Sequence, residues 1–180
     1  MNRILVAFLL LLLPICSFAQ QLAVRNISME NGLPSNAVRS IVQDKDGFVW
    51  LGTDNGLCRY DGYTIRPLRI PQLQNDQYVG TLEVSKYGLL VGTSHGAFLL
   101  NARTEQFRSL HPKIHGNVMS FGIDADGNIW VVTLDDGVFC VCKNLSGCVH
   151  YGFKKDISLV SVYVDSENQV WLIARKQGLY

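Results

Sequence analysis

The sequence repeats itself with a period of about 40 residues, and this repeat restricts the possible folds more than any other feature of the chain. Residues 38–68 and 118–151 both pass from an alternating segment through Asp-x-Asp-Gly-x-Val/Ile-Trp to a second turn that ends in glycine. Weaker copies occupy residues 79–110 and begin again at residue 159. The tryptophan position of the four copies recurs at intervals of 40, 40 and 41 residues, at Trp50, Leu90, Trp130 and Trp171.

Each copy is predicted to contain four short strands. In the first copy, Asp-Gly or Asn-Gly pairs follow extended segments at residues 46–47, 55–56 and 61–62, and these pairs accept the positive φ that tight hairpins require. No stretch after residue 20 has a helical hydrophobic period. Four strands at this period are typical of β-propeller blades.

The sequence therefore predicts an all-β fold of four-stranded antiparallel meanders. The predicted partial β-propeller spans residues 37–180, with blades at 37–69, 78–110, 117–152 and 158–180. The last blade is truncated in this division, so an incomplete ring of about three and a half blades is expected, as in a fragment of a longer protein. Such an arc would leave strand edges unpaired.

The N-terminus has the features of a secretory signal peptide. Arg3 precedes an apolar stretch, and small residues at Ser17 and Ala19 predict cleavage after residue 19. Residues 20–36 are then a lead-in strand or loop. Export would place the protein in the periplasm, where disulfides form.

Charge and motif content exclude several classes of function. With 16 Lys and Arg against 15 Asp and Glu, the formal net charge is +1, and this balance does not favour nucleic acid or an anionic membrane surface as a partner. The histidines and cysteines lack a metal-binding spacing, so no metal, no cofactor and no catalytic residue is predicted.

The repeated residues have structural explanations. Trp50, Trp130 and Trp171 are predicted to pack in the core between blades, although aromatic rings at these positions could also stack on sugars. The Asp-x-Asp-Gly turns resemble the start of a calcium loop, but a strand follows at once and the twelfth-position Glu is missing. Hairpin turns explain them.

One disulfide is predicted. Cys142 and Cys148 flank a five-residue connection between the third and fourth strands of blade three, and a simple hairpin would set them opposite each other. Cys140 could reach Cys148 instead if the register slips. Cys58, in blade one, is predicted to be a free buried thiol.

Ligand binding is predicted on loops that differ between blades. Turns between second and third strands and linkers between blades should open on one face, and variable loops on a rigid scaffold are common binding sites. The candidate ligand-binding residues are Asp54, Asn55, Gln77, Tyr78, Ser94, His95, His115, Asn117, Asp135, Asp136, Arg175 and Lys176.

The chain resembles the two-component regulator propeller repeat. The resemblance rests on Asn-Gly-Leu-Pro-Ser-Asn at residues 31–36, on residues 43–53 and on residues 55–62, with degraded matches in copies two and four. It implies the amino-terminal part of the periplasmic sensor region of a hybrid two-component system, whose further parts include a second propeller, a β-sandwich, a membrane helix, a histidine kinase, a receiver and a DNA-binding module.

The resemblance also implies a small-molecule ligand, an oligosaccharide in many family members, a membrane attachment only through missing carboxy-terminal parts, and a homodimer in the full receptor. Two other classes of function remain open from the residues alone: an exported propeller enzyme such as a lyase or hydrolase, and a protein-interaction scaffold.

Overall fold

The computed structural model describes residues 24–154 and 157–180. The predicted signal peptide lies outside the described residues. The lead-in contains one turn of 3₁₀ helix, Met29–Asn31, which Ser28 caps. Every other regular element in the described residues is a strand.

In the described residues, fifteen strands form four separate sheets. Sheet 1 contains β1 (Val38–Gln43), β2 (Val49–Thr53), β3 (Gly56–Tyr60) and β4 (Ile65–Leu68). Sheet 2 contains β5 (Val79–Ser85), β6 (Gly88–Thr93), β7 (Gly96–Asn101) and β8 (Gln106–Ser109). Sheet 3 contains β9 (Val118–Ile123), β10 (Ile129–Thr133), β11 (Gly137–Val141) and β12 (Cys148–Tyr151). Sheet 4 contains β13 (Leu159–Val164), β14 (Val170–Ala174) and β15 (Gly178–Leu179).

Within each sheet, strands that follow one another in sequence pair antiparallel in that order. The first strands of successive sheets contact one another, β1 with β5, β5 with β9 and β9 with β13, so the first strand is the inner one. This arrangement is that of successive propeller blades and confirms the predicted all-β fold.

The inner strands are joined by serine side chains and by close packing. Ser40 Oγ accepts the backbone N–H of Leu82 at 3.0 Å, and Ser120 Oγ accepts that of Val162 at 3.3 Å. At Gly52 a Cβ atom would lie 2.8 Å from a methyl of Val79, so only glycine allows the next sheet to come this close. The close packing of neighbouring blades therefore explains the glycine of the repeated Gly-Thr pair.

Hydrophobic clusters fill the spaces between sheets. One face of sheet 1, including Trp50 and Leu57, packs against Val91 and Phe98 of sheet 2. Equivalent clusters join sheet 2 to sheet 3 and sheet 3 to sheet 4. Each sheet alone could bury only one face, so the stability of the arc comes from these contacts between neighbours.

In sheets 1, 3 and 4, an aspartate in the hairpin between the first and second strands accepts a hydrogen bond from the tryptophan of the second strand. The carboxylate Oδ2 of Asp44 accepts the indole N–H of Trp50 at 2.7 Å, while its Oδ1 accepts the backbone N–H groups of Asp46 and Phe48. Two further pairs repeat the bond, at 3.0 Å and 2.7 Å respectively: Asp124 with Trp130, and Asp165 with Trp171. The aspartate closes the turn and also satisfies the indole, which explains its fixed spacing from the tryptophan.

Sheet 2 lacks both partners of this bond. Leu90 takes the tryptophan position and Ser85 begins the turn in place of aspartate, and the hairpin is one residue shorter than in sheet 1. Ser85 Oγ closes the shorter turn by donating to Gly88 O at 2.7 Å. The two replacements belong together, because an aspartate without the indole would lose a partner of its carboxylate.

The three tryptophans differ in burial. Trp50 is fully buried between sheets 1 and 2, and Trp130 is partly buried beside Tyr151, with ring centroids 5.7 Å apart. Trp171 is 39% exposed because no described element covers its face of sheet 4. The core position predicted for Trp171 stays a prediction, because the described residues include no sheet that follows sheet 4.

The predicted register of the cysteine hairpin was wrong. Cys148 pairs with Val141, and Cys142 follows the end of β11, where its N–H bonds to Gly147 O at 2.8 Å. The sulfurs of Cys140 and Cys148 belong to opposite faces, because successive strand residues alternate. All four cysteines of the described chain are free thiols, and Cys58 is buried as expected.

We expect the Asp44 and Trp50 side chains to be energetically coupled. In a cycle of Asp44→Ser, Trp50→Leu and the double variant, which copies sheet 2, the double variant should lose less stability than the sum of the singles. The coupling should be about 0.5–3 kcal/mol, measured by urea unfolding of the full chain. The same cycle at Asp165 and Trp171, which is more exposed, should give a smaller coupling. Additive effects at Asp44 and Trp50 would contradict this account.

We also expect unequal reactivity of the thiols. Burial raises the pKa of Cys58 and of Cys140 to about 11, so both should alkylate slowly at pH 8 in the folded protein. Mass mapping of protein purified without reductant, alkylated in denaturant, should find Cys58, Cys140, Cys142 and Cys148 all modified. A bridge between Cys142 and Cys148 would show that the hairpin register differs from the one described.

Candidate ligand-binding rim

The topology places two kinds of loop at one edge of every sheet. The second strand ends where the first begins, as the pairs Val38 with Thr53 and Val79 with Thr93 show. The turn between second and third strands therefore lies beside the linker that enters the sheet. We call this the linker edge. The hairpins that carry Asp44 and Asp124 lie at the opposite edge.

Along the linker edge, turns and linkers touch one another from sheet to sheet. Linker residue Asp76 contacts the 94–95 turn, and a Cβ atom on Gly96 would lie 2.6 Å from Ile114 O in the next linker. Gly116 in that linker approaches the Asp136 carboxylate. These contacts make a continuous rim, as the sequence predicted for loops on a common face.

The most connected polar group on the rim comprises Asp76, Ser94 and His95. Ser94 donates its hydroxyl to Asp76 Oδ2 at 2.7 Å, and His95 Nδ1 lies 2.9 Å from Ser94 Oγ and 3.3 Å from Asp76 Oδ2. Asp76 Oδ1 also accepts the backbone N–H of Tyr78 at 3.2 Å. The carboxylate thereby ties the linker to the turn and to the start of β5.

The hydrogen bonds of this group differ from those of an activated serine nucleophile. Because Ser94 gives its only proton to Asp76, a hydrogen bond from His95 to either of these residues must use a proton on Nδ1. The Nε2 atom of His95 makes neither of these contacts. In a serine hydrolase relay the serine would instead donate to the histidine.

A cavity of about 330 Å³ adjoins this group. Its lining comes from the linker and the turn and consists of Gln72, Leu73, Gln74, Asn75, Asp76 and His95. The volume lies at the low end of the range for small-molecule sites. The cavity lining combines amide, carboxylate and imidazole side chains with one apolar residue.

A second polar group lies nearer the inner strands. Arg39 occupies a β-bulge of β1 and binds Asp54 through two contacts, Nε to Oδ1 at 2.6 Å and Nη2 to Oδ2 at 2.8 Å. The hydrogen bonds from Arg39 lower the pKa of the Asp54 carboxyl. The Tyr78 ring folds over Gly80, the bulge residue of β5.

The other predicted residues are distributed along the rim. Asn55 donates to Pro34 O at 3.4 Å and so holds the lead-in. A separate cavity of about 310 Å³ between sheets 3 and 4 is lined in part by Asp135. Exposed rim positions also include His115, Asp136, Arg175 and Lys176. Asn117 is partly buried, and its side-chain oxygen has no hydrogen-bond partner in the described structure.

Gln77 is not available to a ligand, which corrects its prediction as a contact residue. Its side chain is buried, accepts the backbone N–H of Ile70 at 2.8 Å, and donates to the carbonyl groups of Ile70 and Leu73. The amide therefore fixes the shape of the linker below the cavity. Sequence position alone could not distinguish this role from an exposed one.

Two rim residues were missed by the sequence analysis. Arg39 was assigned to a plain strand, whereas the bulge redirects its side chain toward Asp54. Asp76 lies in an irregular linker, and no repeated sequence motif specifies the path of this linker. The available sequence signal for Asp76 was that it is a polar residue just before a repeat unit. Many other linker residues are also polar, so this signal does not single it out.

At the opposite edge, the carboxylates of Asp44 and Asp124 accept hydrogen bonds from tryptophan and backbone N–H groups. Within residues 24–154 and 157–180, no cluster of three or more histidine, cysteine or acidic side chains could hold a metal ion.

Comparison with known proteins agrees with the fold and with the repeat. Residues 32–55 match the family model described as two component regulator propeller. No curated protein sequence matches the chain. The chain is thus a β-propeller protein, and residues 32–55 carry a two-component regulator propeller repeat, which confirms the resemblance predicted from the sequence.

Solved structures show the same fold. The extracellular domain of BT4673 from B. thetaiotaomicron, assigned to a hybrid two-component system, matches with a TM-score of 0.73 at 23% identity over 85% of this chain and 22% of that one. That of BT3049 from the same organism matches with a TM-score of 0.71 at 23% identity over 87% and 23%. This chain therefore spans less than a quarter of either domain.

A virginiamycin B lyase from Staphylococcus aureus matches with a TM-score of 0.64 at 13% identity over 76% of this chain and 48% of that one. The likeness extends to enzymes and sensors alike, so the fold alone does not define the function. In the described part of the chain, none of the elements is a helix with the length and apolarity that crossing a membrane requires.

We expect the Asp76 pKa to depend on Ser94. The hydrogen bond from Ser94 is the main reason that the Asp76 pKa lies below its usual 3.8, so Ser94→Ala should raise it in an NMR carboxyl titration. Because the folded-state pKa is lowered, the ionised group stabilises the fold above about pH 4 and this contribution is lost as the pH falls. Asp61, whose pKa of about 2 reflects bonds from Thr64 and Tyr63, is the internal control. An unchanged Asp76 titration would refute the assigned bond.

Proposed function

We propose that this chain is part of the periplasmic, ligand-sensing region of a two-component signalling receptor, and that its linker edge binds the ligand. The observation that carries the proposal is the Asp76, Ser94 and His95 group beside the 330 Å³ cavity. The propeller repeat at residues 32–55 and the likeness to extracellular domains of hybrid two-component systems support the sensor context.

We propose an oligosaccharide as the ligand class. His95 contributes an imidazole ring, and the side chains of Gln72, Gln74 and Asn75 supply neutral amide donors and acceptors around the same cavity. Such neutral hydrogen-bonding groups match hydroxyls better than they match a strongly charged ligand. The formal net charge of +1 gives no general attraction for anions.

We propose that this chain binds its ligand and does not catalyse a reaction. The Ser94 hydroxyl donates to a carboxylate, so it is not activated as a nucleophile. The hydrogen bond from Ser94 stabilises the charge of Asp76 and lowers its pKa. A general acid at neutral pH would need a raised pKa instead. These properties suit a group that orients a bound ligand.

The proposal is tested by binding measurements on the purified full chain. A panel of xylo-, arabino-, malto- and galacturono-oligosaccharides is titrated by calorimetry. At least one should bind, and His95→Ala should weaken it about tenfold, or 1.4 kcal/mol. Asp126→Asn, an exposed change at the opposite edge, is the matched control and should leave the affinity unchanged.

Binding that is equally strong in the His95→Ala protein would place the ligand elsewhere and contradict the rim assignment. Turnover of any panel sugar by the chain, detected by chromatography of the titrated samples, would contradict the sensing role and favour an enzyme.

A further inference from the structure

We propose that the opposite edge carries a second small-molecule site, between sheets 1 and 2, and that this site binds a carboxylate with a small apolar body. The site lies between two four-stranded sheets and away from the linker edge, so it does not depend on the ligand proposed for the rim. We call the hairpin between the first and second strands of each sheet its first hairpin.

At two of the three interfaces between sheets, a hydrogen bond joins the first hairpins of the neighbours. The Tyr87 hydroxyl of sheet 2 donates to the Gly127 carbonyl of sheet 3 at 3.1 Å. The Ala125 backbone N–H of sheet 3 donates to Asn168 Oδ1 of sheet 4 at 2.7 Å. Between sheets 1 and 2, by contrast, the hydrogen bonds of the 44–48 hairpin in the described structure all remain within residues 43–50.

The short first hairpin of sheet 2 accounts for this difference. Residues 85–88 form its turn, one residue fewer than residues 165–169 of sheet 4. In the described part of the chain, the short hairpin offers no acceptor to the Lys45 N–H, which is the counterpart of the Ala125 N–H. The first hairpins of sheets 1 and 2 are therefore not joined at this point, and space remains between them.

Two adjoining cavities occupy this space, one of about 230 Å³ and one of about 110 Å³. The smaller cavity is mainly apolar and reaches Trp50. A cavity of about 150 Å³ encloses a benzene ring, so the smaller cavity, which adjoins the larger one, can receive the inner part of a single ring. Both cavities are lined by Lys45, Asp46, Ser85, Gly88 and Ala102, and the smaller one also by Val84 and Leu89.

The larger cavity has a positive balance of charge. Lys45, Lys86 and Arg103 line it, and none of the three forms an ion pair with a described residue. Lys86 places its ammonium group 5.1 Å from the centre of the Tyr87 ring, so Lys45 and Arg103 are the more available cations. Asp46 is the acidic residue of this lining.

Two neighbouring carboxylates are already engaged and do not neutralise these cations. Asp44, which lines the smaller cavity, accepts hydrogen bonds from the indole of sheet 1 and from backbone N–H groups. Glu105, in the turn between β7 and β8, lies 2.8 Å from Arg66 and 3.6 Å from Arg59 of sheet 1. The cations at the cavity therefore remain available to an anionic ligand.

A carboxylate with a small apolar body matches both parts of the site. Lys45 and Arg103 supply charged donors, and arginine can bind a carboxylate through two parallel hydrogen bonds. The apolar body would leave water and lie against Val84, Leu89 and Ala102. A neutral sugar would not use the charges, and a small inorganic anion would not use the apolar cavity.

The test is a titration of the isotope-labelled full chain with sodium benzoate, followed by two-dimensional NMR of the N–H groups. Saturable shifts should appear at the backbone amides of Lys45 and Ser85 and at the indole of Trp50, but not at the indoles of Trp130 and Trp171. Benzamide, which is neutral, and acetate, which lacks the ring, should each bind more weakly than benzoate.

Three variants separate the contributions of charge and shape. Arg103→Gln should weaken benzoate binding about threefold, the size expected for an exposed charge pair, and Asp46→Asn should strengthen it by a similar factor. Ala102→Leu should abolish the shifts without changing any charge, because the longer side chain fills the smaller cavity. Lys113→Gln, which removes an exposed charge in the linker between sheets 2 and 3, is the control and should leave the affinity unchanged.

Benzamide binding as tight as benzoate binding, or an unchanged affinity in both Arg103→Gln and Asp46→Asn, would overturn the proposal. The absence of saturable shifts at millimolar benzoate, or shifts confined to the linker edge, would overturn it too. Arg103 and Asp46 are exposed, so their variants decide the proposal even if thermal denaturation shows that Ala102→Leu is unfolded. The titration contains no oligosaccharide, so its result is independent of the function proposed for the rim.

Discussion

The structure depends on contacts between neighbouring sheets, and the Asp-to-indole hydrogen bond permits the full burial of Trp50 between sheets 1 and 2. A tryptophan between two sheets supplies a large apolar surface, but its N–H group must find an acceptor when it is buried. The aspartate that closes the nearest hairpin provides this acceptor in sheets 1, 3 and 4. One side chain therefore closes a turn and makes the burial of its neighbour possible.

This constraint explains how the repeat can vary without losing the fold. Sheet 2 gives up the tryptophan, the aspartate and one turn residue together, and Leu90 still fills its position with full burial. Elsewhere the inner strands stay close through Gly52 and through hydrogen bonds from the next sheet to Ser40 and Ser120. The scaffold is thus held by buried repeated residues, and the rim is free to differ from sheet to sheet.

Much of the fold could be predicted because tight turns and strand alternation are local properties. The Asp-Gly and Asn-Gly pairs placed the hairpins of sheet 1, and the spacing of Trp50 and Trp130 placed the sheets. The rim was harder, because Asp76 and Arg39 acquire their partners from a linker and a bulge whose geometry depends on the packed sheets. Gln77 and Cys142 were misplaced for a different reason. Their partners are only four to seven residues away, at Ile70 and Leu73 for Gln77 and at Gly147 for Cys142, but they lie in irregular turns that the repeat does not specify.

The central claim is that the linker edge of this propeller arc receives a ligand. Amide hydrogen exchange, compared with and without the tightest oligosaccharide of the panel, tests it most directly because it reports every loop in one experiment. The account predicts slower exchange in peptides that cover residues 71–78 and 93–96. Slower exchange confined to the hairpins at residues 44–48 and 124–128, at the opposite edge, would contradict it.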